Sequence, residues 1–404
     1  MVLARRLLAT AGGRLLGSAA GGESPAITLP ETILCLFNGA AALSASSLGS
    51  AARLDGVWTE TAGNPILTAG SGGTWDDTAL HAPCVISDGS QLVIYYGGLD
   101  GTNIRIGRAT AATYDGPWTK YASNPVIDLG AGFDSAILAF PTILYEPSDT
   151  GKEWKMWYEG STSSLGEGNI GYAYSTNGIS WTKVGQVVAK GSAGQWDDEG
   201  VFPGAILKVG STYNLFYGGR QGTTNPRWQG GLVTFTDPEG TYTKSGSNPI
   251  LLARFNDANT SFSLTADLLA GASVVTISTT TGFNVGEPVV LVADNAETEV
   301  NLIASIDSAT QLTLTQGAVA NFTTAHASGI RSFAYNSVTP RTVRAIDGGY
   351  EMYLAAFQPV EELTPAGSKL REGSMRATAT SLSGPWTYDY DLGLMFTLYP
   401  TTTG

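Results

Sequence analysis

A short signature, Gly followed after one or two residues by an aromatic and Thr, recurs five times and constrains this chain more than any other feature. The copies are Gly56-Val57-Trp58-Thr59, Gly116-Pro117-Trp118-Thr119, Gly178-Ile179-Ser180-Trp181-Thr182, Gly240-Thr241-Tyr242-Thr243 and Gly384-Pro385-Trp386-Thr387. Their aromatic positions are separated by 60, 63, 61 and 144 residues. The last interval holds one repeat plus about 80 extra residues, the arithmetic of an insertion. A second marker, Pro within an apolar run, keeps the same rhythm at Pro83, Pro141, Pro203, Pro340 and Pro400.

Between the markers lie strand-like runs: Leu92–Tyr96, Trp154–Tyr158, Tyr213–Tyr217 and Tyr350–Leu354, then Ile104–Ala109 and Ile170–Tyr174. Read as second and third strands of four-stranded sheets, with the aromatic signature flanking the fourth, they predict an all-β, five-bladed β-propeller. Leu394–Tyr399 supplies an inner strand with nothing after it, and Thr32–Gly39, Ala42–Ala45 and the Trp58 signature supply strands two to four. One blade built from both chain ends closes the ring and removes the open edge. The repeated Trp, Tyr and Pro residues are expected to fill the core between blades. The predicted division is a tail at 1–26, propeller at 27–254, an inserted β domain at 255–331 within the fourth blade, and propeller again at 332–404.

The insertion is rich in Thr, Val, Ala and Ser, and its runs 273–278, 288–292, 300–306 and 311–315 read as four short strands of a small barrel or sandwich. With Thr281-Gly282-Phe283-Asn284-Val285-Gly286-Glu287 and Thr324-Ala325-His326, it resembles small β modules common in phage virion proteins.

Composition narrows the function classes. Against 35 Asp and Glu stand 22 Lys and Arg, so the surface repels a phosphate backbone and nucleic acid is not an expected partner. Two cysteines and two histidines leave too few soft ligands for a zinc site. Cys35 and Cys84 fall on neighbouring blades, where a disulfide or two buried thiols are both open. No run approaches the ~18 apolar residues of a membrane-spanning helix. Arg14 interrupts the apolar stretch of residues 1–26 too early for a signal peptide, so this segment is expected to be an arm docking on other proteins of an assembly.

Three carboxylate clusters precede inner strands at nearly equal phase: Trp75-Asp76-Asp77, Phe133-Asp134-Ser135 and Trp196-Asp197-Asp198-Glu199. Equal phase predicts one common rim, and Asp76, Asp134 and Glu199 are the candidate catalytic set, since paired carboxylates perform glycoside hydrolysis. The alternative is a rim turn in which Asp caps backbone N–H groups and the aromatic covers the blade edge. Candidate sugar-binding residues at the rim are Trp75, Asp77, His81, Tyr96, Arg105, Trp196, Asp198, Arg220, Arg227 and Trp228, aromatics for stacking and polar groups for hydroxyls. No metal site is assigned; a carboxylate-rich funnel can hold Ca2+, although no loop carries the EF-hand pattern.

The segments Asn124-Pro125-Val126-Ile127, Ile170-Gly171-Tyr172-Ala173 and Gly178–Thr182 resemble the five-bladed glycosidase clan containing invertases, levansucrases, arabinanases and β-xylosidases, over about three quarters of the chain. The resemblance implies an Asp base or nucleophile, an orienting Asp and a Glu acid on successive blades, one or two residues before the inner-strand Pro. Here those places hold His81-Ala82, Ala139-Phe140 and Val201-Phe202. The expectation is therefore a virion-associated, glycan-binding propeller with a degenerate site, such as a phage tail-fibre, receptor-binding or decoration protein, with homo-oligomers compatible. An active, secreted glycoside hydrolase and a purely structural assembly protein are the alternatives.

Overall fold

The computed structural model describes residues 65–389 apart from 115, 223–226, 252–261, 282, 284, 286–287, 293–297, 327, 333–336 and 361–368, together with the backbone of four N-terminal strands. The chain is nearly all β. Five four-stranded antiparallel meanders lie among the described residues. The first joins Arg6–Leu8, Ile33–Asn38, Ser47–Leu54 and Val57–Glu60. The second joins Ala79–Ser87, Leu92–Leu99, Ile104–Ala111 and Thr119–Lys120. The third joins Ile137–Tyr145, Trp154–Ser161, Asn169–Ser175 and Thr182–Val188. The fourth joins Gly200–Val209, Thr212–Gln221, Arg227–Phe235 and Thr243–Lys244. The fifth joins Ser337–Ile346, Gly349–Val360, Lys369–Ala379 and Thr387–Asp389.

First strands of successive meanders contact one another, so they form the inner wall. Arg6–Leu8 touches both Ala79–Ser87 and Ser337–Ile346, and pairs with the strand Ile33–Asn38 through Leu7 opposite Cys35. The inner strand next to Ile33–Asn38 is thus drawn from the segment expected to be a free arm. The C-terminal run Leu394–Tyr399 lies outside the described residues.

The recurring aromatic has a double duty that explains its spacing. Its ring is buried in the core: Trp118 packs in a cluster with Leu67 and with Val85 and Ile94 of its own meander, and Trp386 in one with Phe216, Leu232 and Leu251 of the preceding meander. Its polar atom turns back to the carbonyl four residues earlier, Trp118 Nε1 to Tyr114 O at 3.2 Å, Tyr242 Oη to Pro238 O at 2.7 Å and Trp386 Nε1 to Leu382 O at 3.3 Å. One side chain therefore fills the space between sheets and ties the turn that delivers the outer strand. The copy ending in Trp181 is one residue longer, and there Tyr95 Oη of the preceding meander takes the Gly178 carbonyl at 2.7 Å instead.

Residues 262–332 form a separate six-stranded arrangement, two strands more than the four runs predicted. Phe262–Ser263 and Gly329–Ser332 are the added short strands. Its core of Leu264, Val275, Ile277, Phe283, Val289, Leu291, Ile303, Leu312, Phe322 and Ile330 is distinct from the clusters between the meanders. Cys84 is a buried free thiol, whereas the Cys35 side chain lies outside the described residues.

Trp386→Ala should lower stability by about 3–5 kcal/mol, the usual loss for deleting a buried indole. Chemical denaturation measures this; a change below about 1 kcal/mol would contradict the packing role assigned to the repeated aromatic.

Candidate functional site

The three carboxylate clusters form one structural device used three times. Each precedes a first strand, and its first Asp is buried under 5% exposure. Asp76 accepts from Lys120 Nζ at 2.5 Å, Asp134 from Lys183 at 2.8 Å and Asp197 from Lys244 at 2.6 Å. A tyrosine from the second strand adds a further bond: Tyr96 at 3.4 Å, Tyr158 at 3.2 Å and Tyr217 at 3.2 Å. In every case the lysine comes from the outermost strand of the same meander, so the pair straddles all four strands. The aromatic before each Asp lies on the same tyrosine, Trp75 on Tyr96, Phe133 on Tyr158 and Trp196 on Tyr217. The ring fits because the second strand has glycine there: a Cβ on Gly98, Gly160 or Gly219 would meet it at 2.3–2.4 Å.

The carboxylates of Asp76 and Asp134, two of the candidate catalytic set, are each paired with a lysine of their own meander. The equivalent third residue is Asp197, not Glu199. Asp77 and Asp198 accept the Gly73 and Gly194 amides at 2.6 and 2.7 Å as turn caps. Tyr96 is fully buried, and Trp75 and Trp196 are half-buried under the device.

Beside the prolines the inner wall is filled by side chains from four first strands. His81, Ala139, Phe202 and Thr339 occupy one equivalent position, opposite Gly97, Glu159, Gly218 and Ala355 on their second strands. Volumes compensate across each pair: large His81 and Phe202 face glycine, and small Ala139 leaves room for Glu159. Next to this position each of these four first strands bulges. The irregularity spans Ala82-Pro83 and Phe140-Pro141 in two meanders but follows the proline, at Gly204 and Arg341, in the other two. Counting back from Pro consequently misaligns the strands by one: Asp76 and Asp134 stand 7 residues before Pro83 and Pro141, and Asp197 stands 6 before Pro203. Ala82 and Phe140 hold φ of 44° and 50°, a left-handed backbone rarely adopted by side-chain-bearing residues.

That backbone turns Phe140 onto Phe202, with ring centroids 4.4 Å apart; Trp228 follows at 5.5 Å from Phe202. The buried Arg341 guanidinium lies over both phenyl rings at 5.4 and 5.5 Å. His81 is 2% exposed, and neither ring nitrogen has a hydrogen-bond partner among the described residues. Burial lowers its pKa to about 4. Glu159 is wholly buried, its Oε1 accepting the Gly166 amide at 2.5 Å. Burial pushes its pKa up to about 8, opposed by the amides of Gly166, Gly168 and Glu167.

Around this plug, charges are held in pairs. Arg220 binds Glu167 at 2.7 Å and stacks over Trp228 at 5.5 Å, and its carbonyl accepts the Glu199 amide at 3.0 Å. The Ser164 hydroxyl and then Arg220 hold the Glu167 carboxyl below its usual range. Arg105 is spent on Asp100 at 2.6 Å and Asp128 at 2.8 Å. The Arg227 side chain lies outside the described residues. Of the predicted set, the structure brings together Glu199, Arg220 and Trp228, while Asp76 and Asp134 stay in separate meanders. Among the described residues no cluster of three His, Cys, Asp or Glu suited to a metal occurs. Glu159, Glu167, Arg341 and the three lysines were missed. The lysines did carry a signal, since only Trp118-Thr119-Lys120, Trp181-Thr182-Lys183 and Tyr242-Thr243-Lys244 place Lys after the signature, in the three repeats with the Asp cluster.

No protein-family model matches the chain. Two uncharacterized proteins of Mycobacterium tuberculosis, from strains CDC 1551 / Oshkosh and ATCC 25618 / H37Rv, are each 27% identical over 169 residues, 37% of this chain and 53% of theirs. The match thus spans about half the length of these curated relatives. Among solved structures, a thermostable family-43 glycoside hydrolase superposes with a TM-score of 0.51 at 14% identity, over 94% of this chain and 92% of that one. An α-L-arabinanase of Cellvibrio cellulosa gives 0.48 at 13% identity, over 90% and 93%. The fold is therefore that of a glycosidase-like β-propeller.

Two measurements check the site. Lys183→Met should destabilise by about 2–3 kcal/mol, the lower end for breaking a buried pair because the lysine is partly exposed, and the double variant Asp134→Leu/Lys183→Met should recover part of it. Full additivity in that cycle would contradict the clamp. For His81, a folded pKa of about 4 below the unfolded ~6.5 means the unfolded chain binds more protons in that window. Stability should accordingly be full above pH 6.5 and fall as pH drops toward 4, and His81→Leu should flatten that part of a stability-versus-pH curve.

Proposed function

We propose that the chain is a non-hydrolytic, glycan-binding propeller whose five meanders are the blades of one ring and whose residues 255–331 are an inserted module. The observation that carries this reading is the plug: Phe140, Phe202, Trp228 and Arg341 pack together at the inner-strand position where hydrolysis would need converging carboxylates. What is left at the mouth is Arg220, paired with Glu167 and bonded through its carbonyl to the Glu199 amide, a donor and acceptors suited to sugar hydroxyls. The likeness of the insertion to phage virion modules supports a place in a virion, as a tail-fibre, receptor-binding or decoration protein; mass spectrometry of purified particles would find it there, and its recovery only as a free secreted protein would remove that part.

A second reading, hydrolysis, draws on one observation. Glu159, raised to about 8, and Glu167, held low, are carboxyls pushed apart as an acid and a base must be. Against it, Glu159 is sealed under the loop that carries Glu167, so no substrate oxygen reaches it in this conformation.

The two readings separate in one assay. Incubation with a polysaccharide panel should release no reducing sugar from the native chain, nor from Asp76→Asn or Glu199→Gln, while a glycan array records binding that Arg220→Ala weakens at least tenfold. Turnover abolished by Glu159→Gln or Glu199→Gln in a folded protein would establish a hydrolase instead.

A further inference from the structure

The turn between the second and third strands of the third meander covers residues 162–168, whereas its counterpart in the second meander, residues 100–103, is shorter and closes on itself through the Asp100 side chain. The longer turn lies over Glu159. That residue is the one acid among the four second-strand positions opposite His81, Ala139, Phe202 and Thr339, its counterparts being Gly97, Gly218 and Ala355. Glycines let the turn lie flat. A Cβ on Gly168 would meet the Gly160 carbonyl oxygen at 2.3 Å and Glu159 Cγ at 2.9 Å, and one on Gly166 would meet Trp228 at 2.2 Å.

Two sets of contacts hold the turn down. Beneath it, Glu159 Oε1 accepts the Gly166 amide at 2.5 Å, and Leu165 packs on the cluster of Ala139, Phe140, Phe202 and Trp228. On the fourth meander, Arg220 binds Glu167 at 2.7 Å and the Val201 amide donates to the Gly168 carbonyl at 2.9 Å. Under this cover Glu159 is wholly buried, and its Oε2 has no hydrogen-bond partner among the described residues. A charge on that carboxyl is penalised while the turn stays shut and is relieved once water reaches it.

We infer that residues 162–168 are a pH-sensitive lid, shut over Glu159 while its carboxyl keeps the proton and opened when the proton leaves. The titratable and charged groups on the surrounding elements are Glu167 in the lid, Arg220 and Glu199 of the fourth meander, Lys190 on the Glu199 carbonyl, Arg341 over Phe140 and Phe202, and His81, neutral above about pH 4. Glu167 opposes ionisation of Glu159, and its own charge is met by Arg220. Burial raises the Glu159 pKa from 4.5 to about 8, so the shut lid holds a proton that the open one gives up. Closure is therefore strongest near pH 4.5 and weakens as pH rises toward 8. Below that range Glu167, held low by Ser164 and Arg220, takes up its proton and loosens the outer contact.

Hydrogen–deuterium exchange of the full chain from about pH 5 to pH 9 tests this, read as protection factors so that the intrinsic pH dependence of exchange divides out. Protection of the Gly166 and Val201 amides should fall about tenfold per pH unit up to pH 8 and then level off, a slope that the strand core Tyr213–Tyr217 does not follow. Glu159→Gln should remove the slope. Gly166→Ala leaves Glu159 in place but drives a methyl into Trp228 from a φ of 83°, and should lower protection about tenfold at pH 5. A flat native profile, a slope that persists in Glu159→Gln, or full protection in Gly166→Ala would each overturn the inference. If Glu159→Gln does not fold, the native profile and Gly166→Ala decide. Exchange reports the lid and not a ligand, so the outcome is separate from the reading of the mouth.

Discussion

The buried Asp–Lys pair that spans a meander is the interaction on which the rest of this structure leans. An inner strand enters from the rim, and the carboxylate just ahead of it is fixed by a lysine on the outermost strand, with a tyrosine from the second. Desolvating such a pair is expensive, and it holds because hydrogen bonds and an aromatic lid complete its surroundings. Asn124 and Asn248 extend the unit, their side-chain amides reaching the same tyrosines at 3.4 and 3.2 Å. First, second and outer strands are thereby set against one another before any contact between sheets is counted.

The inner wall obeys a different rule, conservation of volume. Where a second strand offers glycine, the first offers His81 or Phe202; where it offers Glu159, the first offers Ala139. The space beside the bulges is occupied by rings and one guanidinium. The same fold can thus carry chemistry or forgo it according to a handful of side chains beside the bulges, which is why likeness of fold leaves activity undecided.

Much of the architecture was legible because the repeat is written in residues that cannot be moved. In three of the signatures the aromatic is fixed both by the core around its ring and by the carbonyl four residues back, so its spacing survives. The candidate site was less legible. Asp76 and Asp134 stand at equal phase because they serve equal structural ends, and phase alone does not tell a clamp from a catalyst; the Thr-Lys that follows the aromatic in the same three repeats would have. Phe202 was hidden for another reason, since the bulge shifts its distance from the proline by one residue. Glu159 gave no sign at all, because its significance comes from the loop that folds over it.

The outer edges show what a side chain can do in place of a strand. In the second and fourth meanders the outermost strand is only two residues long, and much of the third strand beside it would be bare. Asn124 and Asn248 cover it, each accepting an amide and donating to a carbonyl of one residue, Arg108 at 2.9 and 2.9 Å and Leu232 at 2.8 and 3.0 Å. The amide counterfeits a neighbouring strand while offering no backbone for another molecule to continue. At Arg108 and Leu232 the sheet therefore stops at a side chain, and two residues before each the returning backbone of Ile127 and Leu251 takes the edge instead.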